Sequence, residues 1–434
     1  MPLDAYFGSL EKEAPRRWYG SVVEANGLTI SSDGPVGSVG DGCRIVNAGG
    51  QEYDAEVIGF RGPKLVSMPL ESPRGIRLGD KVYASGVAPS LGVGDAYLGR
   101  VVDGLGRPLD GLGVLRCSGL RSLDGDLPKA MERVPIRQSL GTGVRVIDAM
   151  TTVGRGQRVG VFGGSGVGKS TLIGMMTRGT SADLTVVGLV GERGREVREF
   201  LEDSLGEEGR RRSVTVVSTS DESPLMRMRA ALAATTLAEH FASQGKHVLL
   251  VLDSLTRYAM AAREVGLAAG EPAASKGYTP SVFARMARLL ERSGNFAHGS
   301  VTGFYTVLME GDDQQDPLVD AARSILDGHV VLSRAMAAEG VYPPVDVLDS
   351  LSRLMPAVAA KQHVADAFRV RRWMASYSRS EDMVRMGMYR QGSDPELDEA
   401  IRMRPRLQAL LQQNADEIAA FAQTVAAMHT LASE

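Results

Sequence analysis

The stretch RVGVFGGSGVGKSTLIGMMT, residues 158–177, joins an apolar run of strand length to a helix-like run through a glycine-rich loop. Its centre fits the pattern G-x-x-x-x-G-K-[ST], in which backbone N–H groups cradle phosphate between a strand and a helix. Glycines let those N–H groups turn inward around an anion, and the helix that follows adds its positive dipole end. The pattern predicts a phosphate-binding loop composed of Gly163, Gly164, Ser165, Gly166, Val167, Gly168, Lys169, Ser170 and Thr171.

Within this loop, Lys169 is predicted to reach the β- and γ-phosphates, and the Ser170 hydroxyl to bind Mg²⁺. The competing interpretation is a glycine-rich turn that binds nothing. It is disfavoured because the loop has the strand before it and the helix after it that the motif requires. ATP with Mg²⁺ is therefore the predicted ligand pair.

Two carboxylates follow apolar strands further along the chain. The run VLLVLDS ends its apolar part at Asp253, 84 residues after Lys169, where an acidic residue typically holds the magnesium ion directly or through water. The run GERGREV, residues 191–197, follows the strand LTVVGLV, so Glu192 at the end of a neighbouring strand could polarise the attacking water as general base. Its alternative interpretation is an exposed, salt-bridged turn.

The pattern of strands and helices divides the chain. Short β-rich runs with tight turns between about residues 18 and 95 predict a small barrel or a sandwich. Alternating apolar strands and helices up to residue 355 predict a parallel α/β sheet, which with its linker spans residues 96–355. The rest, 356–434, is predicted to be helical, with Asp394 as N-cap and Pro395 at the first helical position, and the helical pattern continues after Asn414. Residues 1–17 are predicted to be a separate N-terminal segment.

Composition excludes several classes of protein. The 434 residues carry a net charge of −3, which argues against bulk electrostatic binding of nucleic acid. Two cysteines cannot form a disulfide framework, so a reducing cytoplasm is expected. No signal peptide or apolar run of transmembrane length is visible. The 51 glycines show no G-X-Y period, so collagen is excluded as well.

GGSGVGKST, GERGREV, VLLVLDSLTRYAMAAREVG and VYPPVDVLDSLSR occur in this order, and together they resemble the catalytic subunits of rotary ATP synthases. VVSTSDESPLMRMRAA and MVRMGMYRQGSDPELDEAI resemble the export ATPases of the flagellum and of type III secretion systems more closely. The resemblance extends from about Tyr19 to about Gln413. It implies a RecA-like P-loop NTPase core with an N-terminal β-barrel and a C-terminal helical domain, and it implies ATP hydrolysis that energises protein export.

The resemblance also implies roles for individual residues. Glu192 is the expected catalytic carboxylate, and Arg193 and Arg257 are expected near it and the γ-phosphate. Tyr342, just before two prolines, is expected to stack on adenine. Arg353 is expected to act as an arginine finger in the site of a neighbouring subunit, which requires a ring; a homohexamer is predicted. The alternative for Arg353 is a structural salt bridge.

Four other functions compete with flagellar export. A virulence-type secretion ATPase is the nearest alternative, and the stretches PVGSVGDGCRIV and YRQGSDPELDEAI favour the flagellar branch. The C-terminal motif argues against a proton-translocating ATP synthase. Retention of Glu192 and Lys169 argues against a non-catalytic ring component. The net charge and the lack of an aromatic–basic pattern argue against an RNA-translocating helicase.

The expected partners follow from the same resemblance. Leu3, Tyr6, Phe7 and Leu10 repeat at helical spacing, so the N-terminal segment could bind a stator-like regulatory subunit or be a frayed terminus. Export gate, stalk protein and substrate–chaperone complexes are expected at the ring, and nucleic acid is not. The expected location is the cytoplasm, with peripheral contact at the cytoplasmic face of the inner membrane.

Overall fold

The computed structural model describes residues 19–85, 88–309 and 316–434. The predicted amphipathic N-terminal segment lies outside these residues. The chain forms two compact units. The first contains the described residues up to Ser90 together with Ser223–Leu225 and Val265–Glu271, and the second contains the other described residues.

The first unit contains a closed six-stranded antiparallel barrel, as the short β-rich runs predict. The strand order around it is β1-β2-β5-β4-β3-β6. Its alternating inward side chains form a separate apolar core that includes Val22, Ile45 and Val82. The strands are β1 Tyr19–Asn26, β2 Thr29–Asp33, β3 Gly42–Val46, β4 Glu52–Arg61, β5 Lys64–Pro69 and β6 Lys81–Ala84.

The second unit is built on one large sheet. Its order is β19-β18-β12-β17-β15-β13-β14-β8, with β16 paired beside β17. The six strands from β18 to β14 in this order, together with β8, run parallel, whereas β19 is antiparallel to β18. The strands are β8 Val101–Asp103, β12 Arg158–Gly163, β13 Leu184–Glu192, β14 Ser213–Thr219, β15 His247–Asp253, β16 Gly294–Asn295, β17 Ser300–Leu308, β18 Gly328–Leu332 and β19 Val345–Ser352.

Two small strand pairs are separate from the large sheet, and the α-helices are joined in places by short 3-10 turns and by a π-helix at Phe200–Leu205. The pairs are β7 Ser90–Val93 with β9 Gly119–Ser122, and β10 Ser139–Leu140 with β11 Val153–Gly154. The helices are α1 Arg145–Met150, α2 Lys169–Gly179, α3 Gly194–Glu199, α4 Gly206–Arg211, α5 Pro224–Ser243, α6 Leu255–Ala268, α7 Pro280–Glu291, α8 Pro317–Ile325, α9 Arg334–Ala338, α10 Met355–Val358, α11 Lys361–Arg385, α12 Pro395–Leu411 and α13 Phe421–Ser433.

The burial of the sheet explains why its strands are continuous apolar runs. Every residue of β13 except its last is buried, and β15 and β17 are likewise buried along almost their whole length. Strands covered by helices on both faces read as continuous apolar runs rather than as alternating ones, which is how the sequence revealed them. Among the described residues, no helix is both long and apolar enough to cross a membrane.

The C-terminal helices differ from the expectation at one point. Helix α12 begins as predicted, because the Asp394 side chain accepts hydrogen bonds from the backbone N–H groups of Glu396 and Leu397. The helix does not continue through Asn414, however, because it ends at Leu411 and α13 starts only at Phe421. The tail after Asn414 is therefore helical, as its pattern predicts, but only from Phe421, and residues 412–420 separate the two helices.

Candidate active site

The glycine-rich loop lies where a buried strand meets a helix. Strand β12 ends at Gly163, and α2 begins at Lys169. Gly166 and Gly168 have φ of +77° and +95°, a region that side chains rarely adopt, so glycine is required at both turns. Gly168 is the N-cap of α2 and supplies no side-chain cap, so the first N–H groups of the helix are left for an anion.

The Lys169 ammonium lies inside the loop. Nζ donates hydrogen bonds to the carbonyl oxygens of Gly163, at 3.0 Å, and Gly164. Burial lowers the pKa of Lys169, the nearby charge of Arg334 lowers it further, and Asp253 and Glu192 oppose both. The cation is thus held at the centre of the loop, opposite two carboxylates.

Asp253 is the last residue of β15 and is almost fully buried. Its Oδ1 accepts a hydrogen bond of 2.6 Å from the hydroxyl of Thr306 on β17. Burial raises the pKa of Asp253, while Thr306 and Lys169 pull it down. An oxygen of this carboxylate and the exposed hydroxyl of Ser170 are hard ligands of the kind that Mg²⁺ prefers, and this ion usually takes its remaining ligands from phosphate and water.

Glu192 is the last residue of β13 and follows a β-bulge. The register shifts between Val190 and Glu192, and the residue between them, Gly191, has φ of +72°. Burial raises the pKa of Glu192 to about 8, and Asp253 and Glu196 raise it in the same direction, while Arg257 lowers it. A half-buried carboxylate with its pKa near neutral pH is suited to accept a proton from water.

The order of strands in the sheet differs from the expected one in a single respect. The strand of Glu192 was expected to neighbour the strand of the loop, but β17 and β15 lie between β13 and β12. Strands that are consecutive in the chain are therefore separated in the sheet. Lys169, Asp253 and Glu192 still meet at one edge, because the carboxyl ends of parallel strands share that edge, and each of the three affects the pKa of another.

Tyr342 lies beside the last glycine of the loop, Gly168. A Cβ built on Gly168 would be 3.9 Å from Cε1 of the Tyr342 ring, and the ring is half exposed. Beside it is a cavity of about 300 Å³. The cavity is lined by Gly168, Thr171, Leu172, Met175, Tyr342, Pro343, Pro344, Gln413, Asn414 and Ala415. An aromatic ring beside an apolar cavity can hold a flat base by stacking.

Gln413, Asn414 and Ala415 are site residues that the sequence reasoning missed. They belong to the break between α12 and α13. The Gln413 backbone N–H donates to the carbonyl of Tyr342 at 2.9 Å, and its side-chain amide donates to the carbonyls of Gly143 and Glu417, both at 2.8 Å. Tyr342 and Gly143 are distant from Gln413 in sequence, so the polar run QQN gave no sufficient signal. Arg334, whose charge affects Lys169, was missed for the same reason.

Arg353 lies away from the loop of its own chain. It follows β19, and its N–H donates to the carbonyl of Asp327, whose own N–H donates to the carbonyl of Arg158. Arg158 is the first residue of β12, whereas the loop begins at its last residue, about 16 Å away for six residues of strand. The exposed guanidinium donates to the carbonyl of Arg323 at 3.3 Å. Arg353 is therefore exposed at the amino-terminal end of β12, whereas the phosphate loop lies at the carboxyl-terminal end of this strand.

The two remaining candidate arginines differ in position. The Arg257 stem packs against Gly191, where a Cβ would be 3.0 Å from Arg257 Cβ, and its charge reaches Glu192. Arg193 is different: its side chain is 79% exposed and forms an ion pair of 3.1 Å with Glu196. The structure thus brings Arg257 to the carboxylates and leaves Arg193 at the surface.

The chain matches two family models and is similar to known proteins along almost its whole length. Residues 143–352 match the family ATP synthase alpha/beta family, nucleotide-binding domain, and residues 359–430 match the family T3SS EscN ATPase C-terminal domain. The flagellum-specific ATP synthase of Bacillus subtilis (strain 168) is 49% identical over 99% of both chains. The protein of the same name from Salmonella typhimurium is 51% identical over 92% of this chain and 90% of its own.

A solved structure shares the architecture. It is described as the assembled ATPase EscN in complex with its central stalk EscO, from the type III secretion system of enteropathogenic E. coli. It covers 95% of this chain and 100% of its own, with a TM-score of 0.88 and 41% identity. The chain belongs to the family of flagellum-specific and type III secretion ATPases, which is related to ATP synthase subunits, and it is an ATP-hydrolysing enzyme. The resemblance, the fold class and the enzyme class predicted from the sequence are confirmed.

Proposed function

We propose that this ATPase energises the export of flagellar proteins through a type III secretion apparatus. In Salmonella typhimurium, the flagellum-specific relative is 51% identical to the chain and the SPI-2 type 3 secretion system ATPase is 46% identical, and this difference supports the flagellar branch. The virulence-type role is the second candidate, and the match of residues 359–430 to the EscN C-terminal family is the observation in its favour. A proton-translocating synthase is less favoured, because the C-terminal family that residues 359–430 match is named for a type III secretion ATPase.

In the proposed reaction, residues 163–171 hold the phosphates through backbone N–H groups and Lys169. Glu192 accepts a proton from the attacking water, for which a pKa raised to about 8 makes it a strong enough base. Arg257 steadies Glu192 through charge and packing. Arg193 is predicted near the γ-phosphate, although in this conformation its side chain pairs with Glu196.

Magnesium fits the donor set of this site. The Ser170 hydroxyl and the Asp253 carboxylate would hold the ion, the carboxylate directly or through water. When bound, Mg²⁺ neutralises charge that develops on the phosphates. In the described residues, no group of three or more His, Cys, Asp or Glu side chains could hold a metal on its own, which is consistent with an ion bound together with the nucleotide.

We further propose that the enzyme acts as a homohexamer in which Arg353 completes the site of the neighbouring subunit. The observation that carries this proposal is the separation of Arg353 from the phosphate loop by the length of β12, with the guanidinium exposed. A head-to-tail ring lets one sequence supply both halves of each site. An arginine of this kind can raise turnover by roughly 10³- to 10⁵-fold by stabilising charge in the transition state.

The partners and location follow from the same family. The assembled EscN with its stalk supports self-association and a stalk partner for this chain as well. A stator-like subunit at residues 1–17, an export gate and substrate–chaperone complexes at the helical segment 356–434 are further proposed partners, at the cytoplasmic face of the inner membrane. The barrel, 18–95, and the ATPase segment, 96–355, complete the proposed division of the chain.

The Glu192→Gln variant tests the catalytic assignment. We expect nucleotide binding within about twofold of wild type and turnover lowered by at least about 100-fold, because the amide cannot accept the proton. Binding is measured with a fluorescent ATP analogue and turnover by phosphate release. Glu202→Gln, which changes an exposed carboxylate paired with Arg198, is the matched control and should retain turnover. Wild-type turnover in Glu192→Gln would remove Glu192 from the mechanism.

A deletion strain tests the cellular role. Loss of swimming with intact virulence-type secretion supports flagellar export, and the reverse pattern supports the second candidate. Restoring the wild-type gene, but not Glu192→Gln, should recover motility, because export in this proposal requires hydrolysis.

A further inference from the structure

The direction of Arg353 depends on its backbone. Because the guanidinium is exposed, the position of this arginine depends on the contacts that hold its main chain. Its N–H donates to the carbonyl of Asp327 at 3.0 Å. The residue before it, Ser352, is buried and donates from its hydroxyl to the carbonyl of Thr152 at 2.8 Å. The base of the arginine is thus anchored on two neighbouring segments.

One buried side chain connects both anchors. Gln157 is fully buried, and its Nε2 donates to the carbonyl of Asp327 and to the hydroxyl of Ser352, each at 3.1 Å. Its Oε1 accepts from the N–H of Gly154 at 2.8 Å, which fixes the orientation of the amide. The same carbonyl of Asp327 therefore receives both the Arg353 N–H and the Gln157 amide.

The Asp327 anchor is itself held in place. Its carboxylate accepts from the backbone N–H and the guanidinium of Arg158 at 3.0–3.1 Å. Arg158 opens β12, and Gln157 immediately precedes it. The far end of β12 enters the phosphate loop, so one buried strand joins a subunit's own nucleotide loop to the base of its outward-facing arginine.

We propose that Gln157 is a positioning residue for Arg353: it fixes the backbone from which this arginine reaches the nucleotide bound by the neighbouring subunit. This inference rests on the proposed function, in which Arg353 acts in trans. Gln157 does not touch the nucleotide in this proposal. Its loss should lower turnover while leaving ATP binding by the same subunit unchanged.

Two variants test the proposal by different routes. Gln157→Met keeps the length of the side chain and removes its three hydrogen bonds, and Ser352→Ala removes only the hydroxyl. We expect each to lower kcat by about 10- to 100-fold, since a misplacement of about 1 Å can cost that much, with Kd for ATP within about twofold. Ser352→Thr keeps a hydroxyl and should retain most of kcat. The double variant should lose no more than the worse single one, because both break the same connection.

Ser293→Ala is the matched control. Ser293 is also fully buried, and its hydroxyl forms a hydrogen bond of 2.7 Å with Tyr305 and not with the groups that hold Arg353. Its thermal unfolding should shift about as much as that of Ser352→Ala, while its kcat stays at the wild-type value. Equal losses of kcat in the two alanine variants would mean that general loosening of the core, and not positioning, causes the effect.

A mixing experiment provides a measurement, the ATPase activity of mixed rings, that would not recover if Gln157 only stabilised the fold. Gln157→Met subunits carry an intact site and a misaligned arginine, and Glu192→Gln subunits carry the opposite defect. In rings assembled from equal amounts, about one interface in four pairs an intact site with an intact arginine. We expect ATPase activity in the mixture well above the sum of the two separate preparations. Ser352→Ala takes the place of Gln157→Met if the latter does not fold.

The mixture of Arg353→Ala with Glu192→Gln separates the two proposals. If this mixture gains no activity, the arginine does not act in trans and the proposed function fails. If it gains activity while the Gln157→Met and Ser352→Ala mixtures do not, only the positioning role is overturned. Wild-type kcat in both Gln157→Met and Ser352→Ala would overturn it as well.

Discussion

At the scale of single residues, Gly191 determines how Glu192 leaves its strand. The φ of +72° at this glycine produces the bulge, and the absence of a side chain lets the Arg257 stem lie against it. A Cβ at this position would be 3.0 Å from Cβ and 3.2 Å from Cγ of Arg257. The carboxylate and the arginine that lowers its pKa therefore depend on one glycine between them.

The Gly191→Ala variant should consequently lose activity. The backbone conformation costs about 1–2 kcal/mol for an alanine, and the clash displaces Arg257 together with the adjacent Glu192. We expect kcat to fall at least about tenfold while the Kd for ATP stays within about twofold, because the phosphate loop is on a different strand. Phosphate release and nucleotide titration measure the two quantities.

Gly245→Ala is the control for backbone strain alone. Gly245 has φ of +86°, and in the described part of the chain no atom lies within 4 Å of a Cβ built there. It should lose only the stability that the backbone strain costs, and it should retain kcat. Equal kcat in the two variants would contradict the role assigned to the contact between Gly191 and Arg257.

At the scale of elements, the paired side chains of Arg100 and Asp110 fasten the turn-rich segment after β8 to the edge of the large sheet. Arg100 donates to both carboxylate oxygens of Asp110, at 2.7 and 2.9 Å, and the N–H groups of Val101 and Leu112 donate to them at 3.0 Å. Arg100 is the main cause that holds the pKa of Asp110 well below its usual range. Both side chains are largely buried.

This pair predicts a pH dependence of stability. A carboxyl group whose pKa is lowered in the folded state stabilises the protein above its unfolded pKa, about 4, and loses that contribution as the pH falls. Asp110→Asn should therefore lower the free energy of unfolding by about 2–3 kcal/mol at pH 7. The difference from wild type should shrink as the pH falls below about 4. Urea unfolding at a series of pH values measures it.

Glu207→Gln is the control at an exposed ion pair of the same unit. Arg211 and Glu207 are 75% and 82% exposed, so their pairing should contribute less than about 1 kcal/mol at any pH. A difference for Asp110→Asn that does not change between pH 7 and pH 3 would show that the charge of Asp110 is not what stabilises this segment.

The elements also show how much the sequence could predict. The strands of the large sheet and the phosphate loop were predictable, because each is encoded by a local run of residues: apolar stretches, glycines and a lysine at fixed spacing. The break after Leu411 was not, because Gln413 leaves the helical pattern to bond with Tyr342 and Gly143, which only the fold brings near. The insertion of β17 and β15 between the strands of Lys169 and Glu192 was hidden for the same reason, since strand order depends on tertiary packing.

At the scale of the whole molecule, β12 has a different function at each end. Its carboxyl end enters the loop that receives the phosphates, and its amino end lies beside the anchors of Arg353. Strand β19 has the same arrangement, because Tyr342 precedes it near the loop and Arg353 follows it at the other end of the strand. A movement of these strands on nucleotide binding would therefore also move the arginine that is proposed to reach the next subunit.

Because a single subunit holds a binding site but only half of the proposed catalytic machinery, binding and turnover should depend differently on protein concentration. Specific ATPase activity should rise as subunits assemble and then become constant, since each catalytic site needs an Arg353 from a second copy. ATP binding should persist in dilute protein, because the loop and the base cavity belong to one chain. Phosphate release, nucleotide titration and sedimentation over the same dilution series measure the three quantities. The Arg353→Ala variant should assemble and bind ATP with no rise in specific activity. Constant specific activity over a range in which sedimentation shows monomers would mean that one subunit is catalytically complete, and the exposed arginine would then need another explanation.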